Sequence, residues 1–135
     1  MSGTIVASPL AGTVLGSASG EFVIAEWKDA GGEPEPPRYI APLHLHHSDD
    51  EAWYVLEGKL CVRRGDEIVE ASAGSAVFVP RGTPHTYWNP TAGLTRYLLV
   101  MSSRTHRMIQ EIHQLTDRSL PSMRALFQKY DSELL

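Results

Sequence analysis

Cysteine, basic clusters and long apolar stretches are all scarce in this sequence. The single cysteine, Cys61, excludes an internal disulfide and is typical of a protein kept in a reducing compartment. The formal net charge is −4 without a long run of Lys or Arg, so the basic surface that attracts nucleic acid or an anionic membrane is missing. No stretch approaches the roughly 18 apolar residues of a membrane helix, and residues 1–20 resemble neither a signal nor a transit peptide. We therefore expect a cytoplasmic protein that binds neither nucleic acid nor membrane.

The 135 residues suit one domain, and their patterning divides the chain into three zones. Residues 1–20 are small and polar and predict an N-terminal arm or edge strand. Residues 21–102 predict a β-barrel, because many short β-prone runs alternate with Gly, Pro, Asp and Asn turns. The predicted strands are 22–27, 38–46, 51–57, 59–63, 67–71, 75–79, 85–89 and 94–102. Residues 103–135 predict one or two amphipathic helices that close one side or mouth of the barrel, because their apolar residues recur at helical spacing.

Four side chains in the barrel zone form a candidate metal site. His44 and His46 lie two apart in a strand-like segment, so their imidazoles project from one face, about 7 Å apart. Glu51 begins the next predicted strand, and His85 begins another after a tight turn. If the sheet closes, all four can converge inside it. Three imidazoles and a carboxylate suit one divalent transition metal per chain (Fe, Mn, Ni, Co, Cu or Zn) rather than calcium or magnesium.

The spacing of these residues resembles that of the cupin family. The first cupin motif corresponds here to His44-Leu45-His46, four residues, Glu51, six residues and Gly58. The second corresponds to Gly74, five residues, Pro80-Arg81-Gly82, two residues, His85, three residues and Asn89. One departure is that Arg38 stands where the first motif has a glycine, at a turn position rather than a ligand position. The resemblance covers about residues 38–100 and implies an all-β double-stranded β-helix, or jelly-roll, barrel, here with one or two C-terminal α-helices.

The resemblance does not determine the reaction, because one fold hosts many chemistries. The whole chain resembles small single-barrel cupins similar to quercetin 2,3-dioxygenase, which implies a metal-dependent dioxygenase acting on a small aromatic or enolisable, flavonol-like substrate. By that resemblance Glu51 is a ligand and a candidate catalytic base for the substrate hydroxyl proton. The alternatives are a metal-dependent isomerase, epimerase or lyase, and a non-catalytic module that binds a small molecule. A redox-active metal and oxygen uptake would favour the first, a polar pocket the second, and a tightly bound ligand without turnover the third.

Strand parity extends the prediction to a substrate pocket and a partner. Trp53 shares parity with Glu51, and Tyr87 with His85, so both are candidates to face the metal, together with Phe78. Each could equally fill the barrel core. Arg96, among apolar neighbours, either meets an acidic substrate or faces outward. We also expect a homodimer, in which an arm carrying Ile5, Val6, Val14 and Leu15 adds to a partner's sheet edge.

Overall fold

The fold consists of two antiparallel sheets followed by two helices. The computed structural model describes residues 3–4, 14–17 and 19–135. Within these residues the strands are β1 (Gly3–Thr4), β2 (Val14–Ser17), β3 (Phe22–Asp29), β4 (His44–His46), β5 (Glu51–Glu57), β6 (Lys59–Arg64), β7 (Glu67–Ser72), β8 (Ala76–Val79), β9 (His85–Trp88), β10 (Thr95–Ser102) and β11 (Ser132–Leu134). The helices are α1 (Ser103–Gln114) and α2 (Leu120–Lys129). The predicted all-β barrel with C-terminal helices is confirmed.

Each sheet interleaves strands that are distant in sequence. The strand order is β1-β2-β3-β10-β5-β8 in the first sheet and β11-β4-β9-β6-β7 in the second. Their inner faces share one apolar core, which includes Trp53, Val62, Tyr87, Tyr97 and Leu99. Burial alternates with period two along β10 and over the first five residues of β5, as expected for strands with one face toward a core. Two sheets that exchange strands in this way form a jelly roll.

The turn between β5 and β6 requires glycine. Gly58 has φ +78°, and a Cβ placed there would lie 2.5 Å from the carbonyl oxygen of Leu94 and 2.6 Å from Thr95 Oγ1. An L side chain would therefore meet both backbone strain and a steric clash. The glycine of the first motif, separated from Glu51 by six residues, thus allows β5 to turn tightly against the start of β10.

Each helix begins at a serine cap. Ser102 caps α1 by accepting a hydrogen bond from the Thr105 amide, and Ser119 caps α2 in the same way from the Ser122 amide. Pro121 lies in the first turn of α2, where a missing N–H costs no hydrogen bond. No helix in the described part of the chain is long and apolar enough to cross a membrane.

Two segments differ from their predicted structure. The strand predicted over 38–46 is shortened to His44–His46, because Pro42 lacks the N–H that a ladder needs. The C-terminal zone does not end as helix, since β11 follows α2 and pairs with β4. Of the predicted arm, Val14 and Leu15 lie in β2 and pair with β3 of the same chain. Ile5 and Val6 lie outside the described residues.

Candidate metal centre

The fold brings the four predicted ligands together from both sheets. His44 in β4 is directly opposite His85 in β9, and His46 projects from the same face of β4. Glu51, the first residue of β5, reaches them from the other sheet. One potential ligand atom from each residue lies within 4.8 Å of all the others, and all four residues are buried. A turn hydrogen bond from the Gly82 amide to the carbonyl oxygen of His46, 2.7 Å long, holds the loop before His85 against β4.

The outer nitrogen of each imidazole has its own acceptor. His44 Nδ1 lies 2.6 Å from the carbonyl oxygen of Pro42, and His85 Nδ1 lies 2.9 Å from that of Thr83. A carbonyl oxygen only accepts, so both Nδ1 atoms carry a proton. His46 Nδ1 lies 2.7 Å from Ser132 Oγ. The Nε2 atoms of His44 and His85 are therefore left to face inward with their lone pairs available, as in metal-ligating histidines with outer partners.

The inner atoms are arranged as if around a cation. Glu51 Oε1 lies 2.6 Å from His46 Nε2 and 3.1 Å from His85 Nε2. His46 Nε2 is fully buried, and the described residues offer it no hydrogen-bond partner of good geometry. A metal cation between the carboxylate and the inward-facing imidazole nitrogens would stabilise this arrangement. His44, His46, Glu51 and His85 thus fit one divalent transition metal.

The electrostatics of the site keep these groups in the protonation state that metal binding needs. Burial, followed by repulsion from His85 and His46, lowers the pKa of His44 to about 3. Burial alone would raise the pKa of Glu51, but its contacts with His46 and His85 outweigh this and lower that pKa well below its usual range. At neutral pH the site therefore presents a neutral His44 and an ionised Glu51, with no proton to displace from either.

A large apolar cavity opens onto the site. Its volume is about 830 Å³, within the range of small-molecule pockets. Both sheets and both helices contribute to its wall. The apolar part of the lining consists of Trp27, Ile40, Ala41, Pro42, Leu94, Leu99, Met108, Ile109, Ile112, Met123 and Phe127. The helices therefore cover the mouth of the barrel with the apolar faces that the sequence predicts.

Two buried tyrosines are among the polar residues on the cavity wall. Tyr87 and Tyr97 both line it, and their hydroxyl oxygens lie 3.4 Å apart. Burial raises the pKa of Tyr97 to about 12, and burial followed by the effect of Tyr97 raises the pKa of Tyr87 well above its usual value. Both hydroxyls thus keep their protons at any physiological pH and can donate a hydrogen bond.

Of the four residues predicted for the substrate pocket, two line the cavity and two do not. Tyr87 and Arg96 line the cavity, and Arg96 lies 3.3 Å from carboxylate oxygens of both Glu26 and Glu57. Trp53 is buried and packs its ring against His85, with ring centroids 5.8 Å apart, but it is not among the residues lining the cavity.

The prediction for Phe78 needs correction. In β8 the buried residues are Val77 and Val79, so the residue between them faces outward. Phe78 is 52% exposed and borders a separate small depression with Arg64 and Glu70. Sequence reasoning also missed Ser132, since nothing in a short polar C-terminal segment signals that it pairs with the strand carrying the ligands.

Comparisons with known proteins agree with this arrangement. Residues 33–101 match the family described as cupin domain. The chain is 33% identical over 82 residues to mannose-1-phosphate guanylyltransferase of Salmonella muenchen, an alignment that spans 61% of this chain but only 17% of that protein.

Solved structures show the same fold. Protein TT1209 from Thermus thermophilus superposes with a TM-score of 0.54 at 28% identity, covering 62% of this chain and 74% of that one. A Klebsiella pneumoniae protein with a double-stranded β-helix domain has a TM-score of 0.54 at 20% identity, covering 67% and 74%. The family match spans half of the chain and includes all four clustered candidate ligands. The chain belongs to the cupin superfamily.

Proposed function

We propose that this cupin is a metal-dependent dioxygenase that acts on a small aromatic or enolisable substrate. The single observation that carries the proposal is the apolar cavity of about 830 Å³, whose wall includes three of the four candidate ligands, His44, His46 and Glu51. Pockets lined mainly by apolar side chains select apolar ligands, with a few polar groups fixing the orientation. A substrate with one or more aromatic rings and an oxygen at one end fits this description.

The residues around the cavity supply the polar contacts that such a substrate needs. The Tyr87 hydroxyl accepts from the Tyr97 hydroxyl and can donate its own proton to a substrate oxygen, because its raised pKa keeps it protonated. Glu51 is ionised and buried at the end of the cavity, where a carboxylate oxygen can accept the proton of a substrate hydroxyl. When bound, a redox-active divalent metal supplies Lewis acidity and the electron transfer that oxygen chemistry requires.

The cavity is less suited to a sugar phosphate. Among the described residues, two cationic side chains, Lys28 and Arg96, line the cavity. The guanidinium of Arg96 already lies against the carboxylates of Glu26 and Glu57, so a phosphate would meet at most one uncommitted cation of these two. A sugar ring would need several hydrogen-bond partners, whereas most of the wall is aliphatic or aromatic.

A second candidate function rests on the similarity to mannose-1-phosphate guanylyltransferase. The name of that relative indicates a sugar phosphate as the kind of ligand. In an isomerase or epimerase reaction on such a ligand, a metal held by the four candidate residues would supply Lewis acidity without oxygen. The chain matches only 17% of that protein, so the similarity need not extend to its activity. The cavity lining favours the dioxygenase.

Oxygen uptake tests the proposal. The purified protein is analysed for metal, stripped, and reloaded in turn with Fe(II), Mn(II), Ni(II), Co(II), Cu(II) and Zn(II). Oxygen consumption is then measured with a flavonol, with an acyclic 1,3-diketone, and with mannose 1-phosphate as the polar comparison. We expect uptake with at least one redox-active metal and one of the first two compounds, and none with Zn(II).

Two variants complete the design. His46→Ala should abolish both metal binding and oxygen uptake, whereas His47→Ala should keep both, because His47 is half-exposed and pairs with Glu133 at 3.3 Å. The absence of uptake with every metal and substrate would refute the dioxygenase. Anaerobic turnover of a sugar phosphate would establish the second candidate instead.

A further inference from the structure

The C-terminal segment returns to the barrel beside the candidate metal centre. Strand β11 pairs antiparallel with β4, and Ser132 lies directly opposite His46 in that register. Backbone hydrogen bonds fasten the segment at both ends of β4, from the His47 amide to the carbonyl oxygen of Asp131 (2.9 Å) and from the Leu135 amide to that of Leu43 (3.0 Å). The last strand is therefore held in fixed register with the strand that carries two of the ligands.

The hydroxyl of Ser132 has a defined role in this arrangement. Ser132 is buried, with 3% of its surface exposed, and its Oγ lies 2.7 Å from His46 Nδ1 and 3.1 Å from the carbonyl oxygen of Tyr130. The carbonyl can only accept, so the single hydroxyl proton of Ser132 is donated to Tyr130. The lone pairs of Ser132 Oγ are then left to accept a hydrogen bond from His46 Nδ1–H. This contact leaves His46 Nε2 unprotonated and aimed into the site.

His46 differs in this respect from the other two histidines. The Nδ1 atoms of His44 and His85 are bonded to backbone carbonyls two residues earlier in the chain, at Pro42 and Thr83. Those acceptors remain whatever side chain is present. The acceptor of His46 is a side chain 86 residues away. Only this one of the three outer contacts can be removed by changing a side chain.

We propose that Ser132 is a positioning residue for the metal centre: by accepting from His46 Nδ1, it sets the tautomer and ring orientation in which His46 binds metal. This inference rests on the proposed metal binding. Its consequence is that the C-terminal strand, outside the two motifs, contributes to metal affinity. The neighbouring helix reinforces the arrangement, since the buried ring of Phe127 packs edge-on against His44 with centroids 5.5 Å apart.

Zinc affinity of four proteins tests the inference. Wild type, Ser132→Ala, Ser132→Thr and Glu133→Gln are compared by competition with a chromophoric chelator across pH 6 to 8. Ser132→Ala removes the acceptor, Ser132→Thr keeps a hydroxyl at the same atom, and Glu133→Gln alters the exposed neighbour in the same strand, whose carboxylate contacts His47. Thermal unfolding of each metal-free protein reports whether β11 stays in place.

We expect Ser132→Ala to bind Zn(II) roughly ten- to a hundredfold more weakly, the usual cost of losing an outer hydrogen bond to a ligating histidine. Ser132→Thr and Glu133→Gln should stay within about threefold of wild type. Affinity of Ser132→Ala within threefold of wild type would overturn the inference while leaving the metal site intact. Failure of the wild type to bind Zn(II) would instead refute the metal site itself.

A measurement on the wild type makes the test independent of how the variants fold. Nitrogen-15 spectra of the histidine rings in the Zn(II)-loaded protein identify the nitrogen that carries the proton. For His46 we expect protonated Nδ1, protected from exchange with water, and metal-bound Nε2. The reverse assignment, or an Nδ1 proton that exchanges as fast as that of an exposed histidine, would overturn the role of Ser132.

Discussion

His44 should make the metal-free protein sensitive to acid. Burial, followed by the neighbouring imidazoles of His85 and His46, lowers the pKa of His44 from 6.5 to about 3. The unfolded chain therefore takes up a proton at His44 as the pH falls below 6.5, whereas the folded protein does not until about pH 3. The contribution of a neutral, buried His44 to stability is present above pH 6.5 and is lost as the pH falls toward 3.

The size of the effect follows from the two pKa values. Between these two pKa values, each decrease of one pH unit lowers the free energy of unfolding by roughly 1.4 kcal/mol for one proton. Between pH 6.0 and 4.5 His44 alone should cost about 2 kcal/mol, a large share of the roughly 5–15 kcal/mol that stabilises a domain of this kind. The pKa of Glu51 is also lowered, but from an ordinary value of 4.5, so Glu51 contributes mainly below this window.

The variant that removes the titrating imidazole is His44→Asn. An Asn side chain places an amide N–H two bonds beyond Cβ, as imidazole Nδ1 does, so it can still donate to the carbonyl oxygen of Pro42. Urea unfolding of the metal-free protein is followed by tryptophan fluorescence at pH 6.0, 5.25 and 4.5 in the presence of a chelator. The variant should lose about 2 kcal/mol less than wild type over this range.

His47→Asn is the control, because the side chain of His47 is 51% exposed. It should reproduce the wild-type pH dependence. Burial and the nearby Arg107 also lower the pKa of His106, but His106 is present in every protein compared, so its contribution cancels from the difference. Equal loss of stability in wild type and His44→Asn would refute the argument that burial keeps His44 neutral.

Three further outcomes are expected. Glu51→Gln keeps the shape of the ligand but removes its charge, so metal content should fall modestly while turnover falls about a hundredfold or more; near-full turnover with metal bound would show that the carboxylate is not the base. Ile109→Asn, on the cavity wall, should raise the KM for an aromatic substrate about tenfold, whereas Ile68→Asn, 62% exposed on β7, should leave it unchanged. Deleting residues 1–18 should convert the expected homodimer to monomer or cause aggregation, and an unchanged elution volume in size-exclusion chromatography would contradict the dimer.

The candidate ligand set could be predicted from the sequence because its residues keep the spacing of the two cupin motifs, and within the first motif the geometry is local. Residues two apart in a strand project from one face whatever the rest of the fold does, so His44 and His46 were bound to point together. Glu51 and His85 each begin a strand; the turn before His85 contains a glycine and two prolines, whereas the turn before Glu51 is the polar run 47–50. The start of α2 is also a local feature, since Ser119 caps the helix that follows it.

For residues outside these local patterns, the tertiary structure determines which face the side chain occupies and what it contacts. Parity states which side chains share a face of one strand, but not which face a distant strand turns toward the core; this is why Tyr87 lines the cavity while Phe78 faces outward. The volume of the cavity depends on where α1 and α2 pack across the barrel mouth. Ser132 meets His46 only because β11 pairs with β4 across 86 residues of chain, and a contact of that range leaves no periodic signal in the sequence.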